Sequence, residues 1–268
     1  MSNNIQKVTR ASLGKREAAF ITQIGKKRFF SIEDAREALG HDRNAPTSQF
    51  LERLIKKGWI MRIKRGVYVT VPLSAGEEPN PQIHEFLIAM QIVSPAAIAY
   101  WTALNYHGMT EQLPRTVYVA TNHLVRYPPE DILWFKFKIV SLRPPRYFGI
   151  VKDWIDGGEF SITDLEKTIV DGLDLPEYVG GIGEIAKALR FSWKKLDTGK
   201  LFSYAARMGN VAVVKRLGFL IEALKLADAE PLRKGVQLSK GFSSLDPRMP
   251  RKGRLNRHWR LLVNVEDV

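Results

Sequence analysis

Two hydrophobic periods meet at a glycine between residues 50 and 69, and no other feature restricts the fold of this chain as strongly. Phe50, Leu51, Leu54 and Ile55 recur at helical spacing and leave Thr47, Ser48, Gln49, Glu52, Arg53 and Lys56 on the opposite face. From Trp59 to Val69 the pattern changes to apolar residues alternating with basic ones, as a half-buried hairpin requires. Gly58 stands where a helix C-terminus takes a positive φ, and Arg65-Gly66 suits a two-residue turn. A helix thus hands over to a basic hairpin.

The residues upstream supply the remaining parts of a small domain. Ala11 to Ile24 is expected to be helical, and Phe29-Phe30 to add a short strand. Ser31 opens a second helix with Asp34 in the reciprocal capping position, and Gly40 ends it. In the turn-rich stretch His41 to Pro46, either Asn44 or Thr47 is placed to cap the third helix, with Pro46 in its first turn. Helix, strand, helix, turn, helix and hairpin is the order of a winged helix-turn-helix. Small polar and long basic side chains on the free face of its third helix are the types that reach base edges and phosphates. The competing reading is a solvated helix face beside an ordinary hairpin.

Charge distribution agrees with a polyanionic partner. The chain of 268 residues carries a net charge of +13, with 15 Lys/Arg against 6 Asp/Glu in residues 1–75 and 9 against 1 in residues 233–260. The remainder of the chain is left at −4, so both ends are basic and the centre mildly acidic. The absence of cysteine excludes disulfides and thiolate metal sites. No apolar core for a signal peptide and no apolar run of 18 residues is present, so the expected location is cytoplasmic.

Length suits two domains. The stretch 74–81, rich in proline and glycine, is the expected linker between a domain over residues 1–73 and a larger one over 82–268. In the latter, helices are expected from Gln82 to Ile92, Pro95 to His107, from Asp164, near Gly183 to Leu189 and through Leu201 to Leu226. Strands are expected at Thr116–Ala120, Leu133–Val140, Tyr147–Val151 and Trp259–Val265. The fold class is therefore α+β: an N-terminal winged helix-turn-helix followed by a larger mixed α/β domain.

Asp153, Asp156, Glu159, Asp164, Glu166, Asp171 and Asp174 form a dense acidic run that raises the alternative of a metal-dependent enzyme acting on nucleic acid or nucleotides. Local physics gives a structural account of it. Thr163 to Glu166 fits a capping box, and Leu165, Ile169 and Leu173 form the stripe that buries the helix, so the acids are expected to start the helix and solvate its outer face. No Asp-x-Asp pair occurs, and the five histidines lack paired spacing. No zinc motif, phosphate-binding glycine loop or nucleophile elbow is found. No catalytic residue, metal or cofactor is assigned, and an enzyme is not expected.

A second basic patch, Arg248, Arg251, Lys252, Arg254 and Arg257, leads with Arg260 into an apolar final strand. It reads equally as a nucleic-acid contact and as a solubilising surface. Trp259 reads as a core anchor.

Taken in order, these features resemble the AbiEi-type antitoxins and transcriptional regulators of bacterial type IV toxin-antitoxin and abortive-infection systems, the latter a form of phage defence. Arg62-Ile63-Lys64-Arg65-Gly66-Val67-Tyr68 looks like that family's wing. The run Asp164-Leu165-Glu166-Lys167-Thr168-Ile169-Val170-Asp171 looks like its second-domain signature, with Lys167 where Arg is usual. Gly180-Gly181 and the segment from Trp259 to Asn264 are in keeping. The resemblance implies a repressor of its own operon that binds inverted repeats in double-stranded DNA. It also implies a C-terminal domain that neutralises a nucleotidyltransferase toxin without necessarily forming a stable complex. Carried onto this chain, Thr47, Ser48, Gln49 and Arg53 would face the groove, Lys56 would be a further DNA-binding residue, and Arg62, Lys64 and Arg65 would meet backbone or minor groove. Glu52 departs from a purely basic face, and either accepts from a cytosine amino group or disfavours some phosphates. No heptad seam is visible, so a monomer that binds DNA cooperatively is expected. A winged helix that binds protein instead is the third reading.

Overall fold

The computed structural model describes residues 10–42, 46–76, 80–126 and 128–266. Contacts divide them into two compact units, one running up to Ile92 together with Asp131–Trp134, the other comprising Val93–Glu130 and the chain from Phe135 onward.

The first unit is a winged helix. Helix α1 (Lys15–Ile24), strand β1 (Phe29–Ser31), helices α2 (Ile32–Leu39) and α3 (Thr47–Lys56), and strands β2 (Ile60–Lys64) and β3 (Val67–Thr70) follow the expected order. Ser31 caps α2 as its sequence requires: its hydroxyl accepts from Asp34 N at 3.0 Å, and Asp34 Oδ2 accepts from Ser31 N at 2.7 Å. Gly40 ends that helix at φ 62°, and Gly58 follows α3 at φ 71°. The strands pair antiparallel in the order β1-β3-β2, and the register slips between Arg62 and Lys64. Phe20, Phe30, Phe50, Leu51, Leu54 and Tyr68 fill the core, with Phe20 edge-on to both Phe30 and Phe50.

Two ends differ from expectation. Helix α1 begins four residues late because the chain at Ala11 is bound elsewhere: Ala11 N donates to Lys57 O and Ala11 O accepts from Trp59 Nε1. Helix α3 has no side-chain cap; Pro46 precedes it and Thr47 is its first residue, while Asn44 lies outside the described residues. The expected linker 74–81 falls inside the span of the first unit, which continues through helix α4 (Glu85–Ile92). Residues 77–79 of that linker lie outside the described residues, and α4 belongs with the first unit, since it lies against β2 and Lys64 Nζ donates to Ile92 O at 3.2 Å. The helix starts at Glu85 because Gln82 is at φ 50°, its N–H turned to Asn80 Oδ1 at 2.8 Å.

In the rest of the chain the elements are β4 (Ala97–Ile98), α5 (Tyr100–Tyr106), β5 (Thr116–Thr121), β6 (Asp131–Ile132), β7 (Phe135–Ser141), β8 (Ile150–Ile155), β9 (Gly158–Thr163), α6 (Leu165–Asp174), α7 (Ile182–Ser192), α8 (Thr198–Arg207), α9 (Val211–Ala223), α10 (Glu230–Lys234), β10 (Ser243–Ser244), β11 (Arg254–Asn256) and β12 (Leu261–Val263). Five strands of the second unit form a mixed sheet in the order β7-β5-β4-β9-β8. Within it β5 runs parallel to β7 and β4 parallel to β9, while β4–β5 and β8–β9 are antiparallel. A small sheet, β10-β12-β11, closes the chain. Helix α6 is the hub, packed against α5, α7, α8 and α9.

Three expectations are corrected here. The helix foreseen over Pro95–His107 is a central strand followed by a shorter helix; Ala97 to Ala99 are fully buried, and a short apolar run of that kind has no period that distinguishes strand from helix. Leu201–Leu226 is two helices, because Gly209 takes φ 64° and the Asn210 side chain accepts from Ala212 N to start the second. The final strand is limited to Leu261–Val263, with Arg260 at φ 50° before it.

Candidate nucleic-acid interface

The residues singled out around α3 and the wing divide into three groups. Ser48, Gln49, Arg53 and Lys56 are exposed on one side of α3, because Phe50, Leu51 and Leu54 hold the other side in the core. Arg62 and Arg65 are exposed on the hairpin, and Gly66 at φ 79° makes its turn. Ser48, Arg62 and Arg65 line one depression of about 650 Å³ with Ile32, Gly66 and Tyr68. Gly66 O accepts from Ile32 N at 3.0 Å, so the wing turn is fixed to the start of α2.

Two expected members are engaged within the protein. Thr47 is 1% exposed, and its hydroxyl is 2.9 Å from His41 Nδ1. It secures the first turn of α3 from inside and has no access to a groove. Lys64 reaches to the C-terminal carbonyl of α4, where the helix dipole favours a cation.

Glu52 is paired with Arg62, both side chains about half exposed. The Arg62 guanidinium also lies 5.7 Å from the Tyr68 ring centroid. Two further basic residues escaped the pattern of spacing. Arg16 donates to His41 Nε2 at 2.6 Å, which leaves Nδ1–H to donate to Thr47 and links α1 to the start of α3. Arg10 donates to the carbonyls of Val71, Pro72, Leu73 and Gly76 and stacks 4.2 Å over Trp59, so it is a structural cation. Nothing in the local sequence distinguishes Arg10 or Arg16 from a solvated charge.

The acidic segment of the second unit is built differently from expectation. Strand β9 continues through Thr163, so the helix starts one residue later and Asp164 is its cap, accepting from Lys167 N at 2.8 Å. The Thr163 hydroxyl pairs with that of Thr168 at 2.8 Å. Glu166 does not turn back to the cap; it accepts from Asp197 N at 2.9 Å and from Lys200 Nζ at 2.9 Å. Lys200 and Tyr204 also meet Asp164 Oδ2. The outer face foreseen as solvated is covered, since every residue from Glu166 to Asp174 is buried. Asp171 pairs with Lys167, whose ammonium lies 4.8 Å from the Phe148 ring centroid. Burial pushes the Asp171 carboxyl up to about 6, against the opposing pull of Lys167. Asp174 accepts from Arg146 at 2.9 Å and Asn210 at 2.6 Å. Asp153 accepts from Tyr106 OH at 2.8 Å. Asp164 and Glu166 thus join α6 to α8, while Lys167 pairs with Asp171 and Thr168 with Thr163 and Asp164 within α6 and the end of β9. Among the described residues no three His, Cys, Asp or Glu side chains are grouped as metal ligands.

The basic patch of the tail lies on the surface, in the loop before β11, at Arg254 within that strand, and at Arg257 just after it. Arg248, Arg251, Lys252, Arg254 and Arg257 are all exposed. Asn264 Nδ2 donates to the carbonyls of Asp246, Met249 and Pro250 and holds the base of the loop, while Trp259 is fully buried. No helix among the described residues is long and apolar enough to cross a membrane.

Residues 23–71 match the family model described as a transcriptional regulator, AbiEi antitoxin. That span runs from the end of α1 through the wing; the signature in α6 lies outside it. No curated protein matches the chain. Among solved structures, the crystal structure of the RV2827C protein from Mycobacterium tuberculosis is similar, with a TM-score of 0.69 at 11% identity over 96% of this chain and 94% of that one. At that identity the likeness is one of fold.

Proposed function

We propose that the chain is a sequence-specific DNA-binding antitoxin that represses its own operon. In this reading α3 enters the major groove with Gln49 and Arg53 toward base edges, and Ser48, Lys56, Arg62 and Arg65 meet phosphates. The observation that carries the reading is the convergence of Ser48, Arg62 and Arg65 on one depression beside the exposed face of α3, within the segment that matches a family of transcriptional regulators. Monomers bind the inverted repeats of the promoter cooperatively. The second unit serves neutralisation of a nucleotidyltransferase toxin, for which a stable complex is not required.

The test is Arg53→Ala with Arg65→Ala, titrated against the DNA upstream of the protein's own gene. The double variant loses about 1 to 3 kcal/mol of binding for each base contact removed, and less for a phosphate contact. Unchanged affinity removes these residues from the interface.

A further inference from the structure

Glu52 is the one acid in α3, and it sits on the face otherwise occupied by Ser48, Gln49, Arg53 and Lys56. A carboxylate among groups that approach DNA repels every phosphate it nears, so its presence calls for a physical role. Its partner is Arg62 of β2, across the junction of helix and hairpin. Arg62 in turn lines the depression that Ser48 and Arg65 share. One guanidinium therefore has two competing anions: the Glu52 carboxylate within the protein and a phosphate placed in that depression. Both side chains are about half exposed, so exchange between the two requires no unfolding.

We infer that Glu52 is a specificity-determining residue which holds Arg62 away from phosphates until its own carboxylate finds a base-edge donor. The matching donor is the exocyclic amino group of cytosine, which a glutamate accepts from in the major groove. On a sequence without cytosine at that position, Arg62 stays with Glu52 and the complex has one fewer phosphate contact. On the correct sequence the carboxylate turns to the base and Arg62 is released to the backbone. Discrimination then arises from two coupled exchanges, base for guanidinium at Glu52 and phosphate for carboxylate at Arg62. This rests on the DNA-binding reading above.

The experiment uses the full chain as wild type, Glu52→Gln, and Glu52→Gln with Arg62→Ala. Each is titrated by fluorescence anisotropy across a salt series on the upstream duplex and on a scrambled duplex of equal length. Glu52→Gln keeps the shape of the side chain and removes its charge. On scrambled DNA it is expected to bind about tenfold more tightly, as one charge-assisted contact provides. Its log–log salt dependence steepens by about 0.9, the increment for one added phosphate contact. Preference for the upstream duplex falls by about ten- to a hundredfold. Adding Arg62→Ala abolishes the gain in slope. Wild-type affinity and slope on scrambled DNA for Glu52→Gln, or a steeper slope that persists without Arg62, would overturn the inference. If the wild-type protein itself does not prefer the upstream duplex, the operator reading fails, while the hold of Glu52 on Arg62 is still read from the scrambled duplex.

Discussion

Lys167 and Asp171 form an ion pair one helical turn apart in α6, and each side chain is only 1% exposed. Such a pair is not a large net source of stability, because both ions have left water, but breaking it leaves one charge buried without a partner. Lys167→Met is therefore expected to cost about 3 to 5 kcal/mol in urea unfolding, whereas the double change Lys167→Met with Asp171→Leu should cost much less. A double variant as unstable as the single one would show that the charge pair is not the reason α6 tolerates these residues.

The capping carboxylate of α2 gives a prediction for acid. Lys27 and the backbone of Ser31 hold Asp34 at about 2, below its ordinary value of 3.8. A carboxyl with a lowered folded-state value contributes stability that is complete above its unfolded value and is lost as pH falls. Thermal stability of the wild-type protein should thus decline between about pH 4 and pH 2 more steeply than that of Asp34→Asn. Parallel melting curves for the two proteins across that window would contradict the assignment.

Gly218 in α9 is a contact glycine. A Cβ built there would lie 2.1 Å from the Trp259 ring, which is fully buried. Gly→Ala within a helix ordinarily gains up to about 1 kcal/mol. Here Gly218→Ala should instead destabilise by about 1 to 3 kcal/mol, since the indole has nowhere to move. A raised melting temperature would refute this packing.

Thr47 separates support from recognition. Thr47→Val removes the hydroxyl that pairs with His41 and is expected to lower stability by about 1 kcal/mol. The slope of DNA affinity against salt should stay the same, because a residue 1% exposed makes no phosphate contact. A change in that slope would return Thr47 to the binding face.

The winged helix was legible because each of its parts has a short-range cause. The 3.6-residue stripe of α3, the Ser31–Asp34 box, and Gly40, Gly58 and Gly66 at positive φ act within a few residues of themselves. What escaped is non-local. Nothing near Thr47 announces that His41 and Arg16 will draw it inward, and nothing near Lys64 announces the end of α4. The pattern of the α6 acids marks them as structural but does not reveal their environment. Four further helices and Phe148 surround them, so side chains with the pattern of a solvated face form a buried network with Lys200, Arg146 and Asn210. Strand β9 is hidden in the sequence for a related reason. Its residues Phe160, Ile162 and Thr163 are buried by neighbours remote in sequence, and the acidic run around them obscures the alternation.

The most direct measurement is fluorescence anisotropy of the full chain on the duplex upstream of its own gene, beside a scrambled duplex of equal length, over a salt series. The account predicts tight binding that persists at physiological salt on the upstream duplex alone, with weak and steeply salt-dependent binding to the other. Equal affinity and equal slope on both would reduce the basic face of α3 and the wing to non-specific phosphate attraction and contradict a sequence-specific regulator.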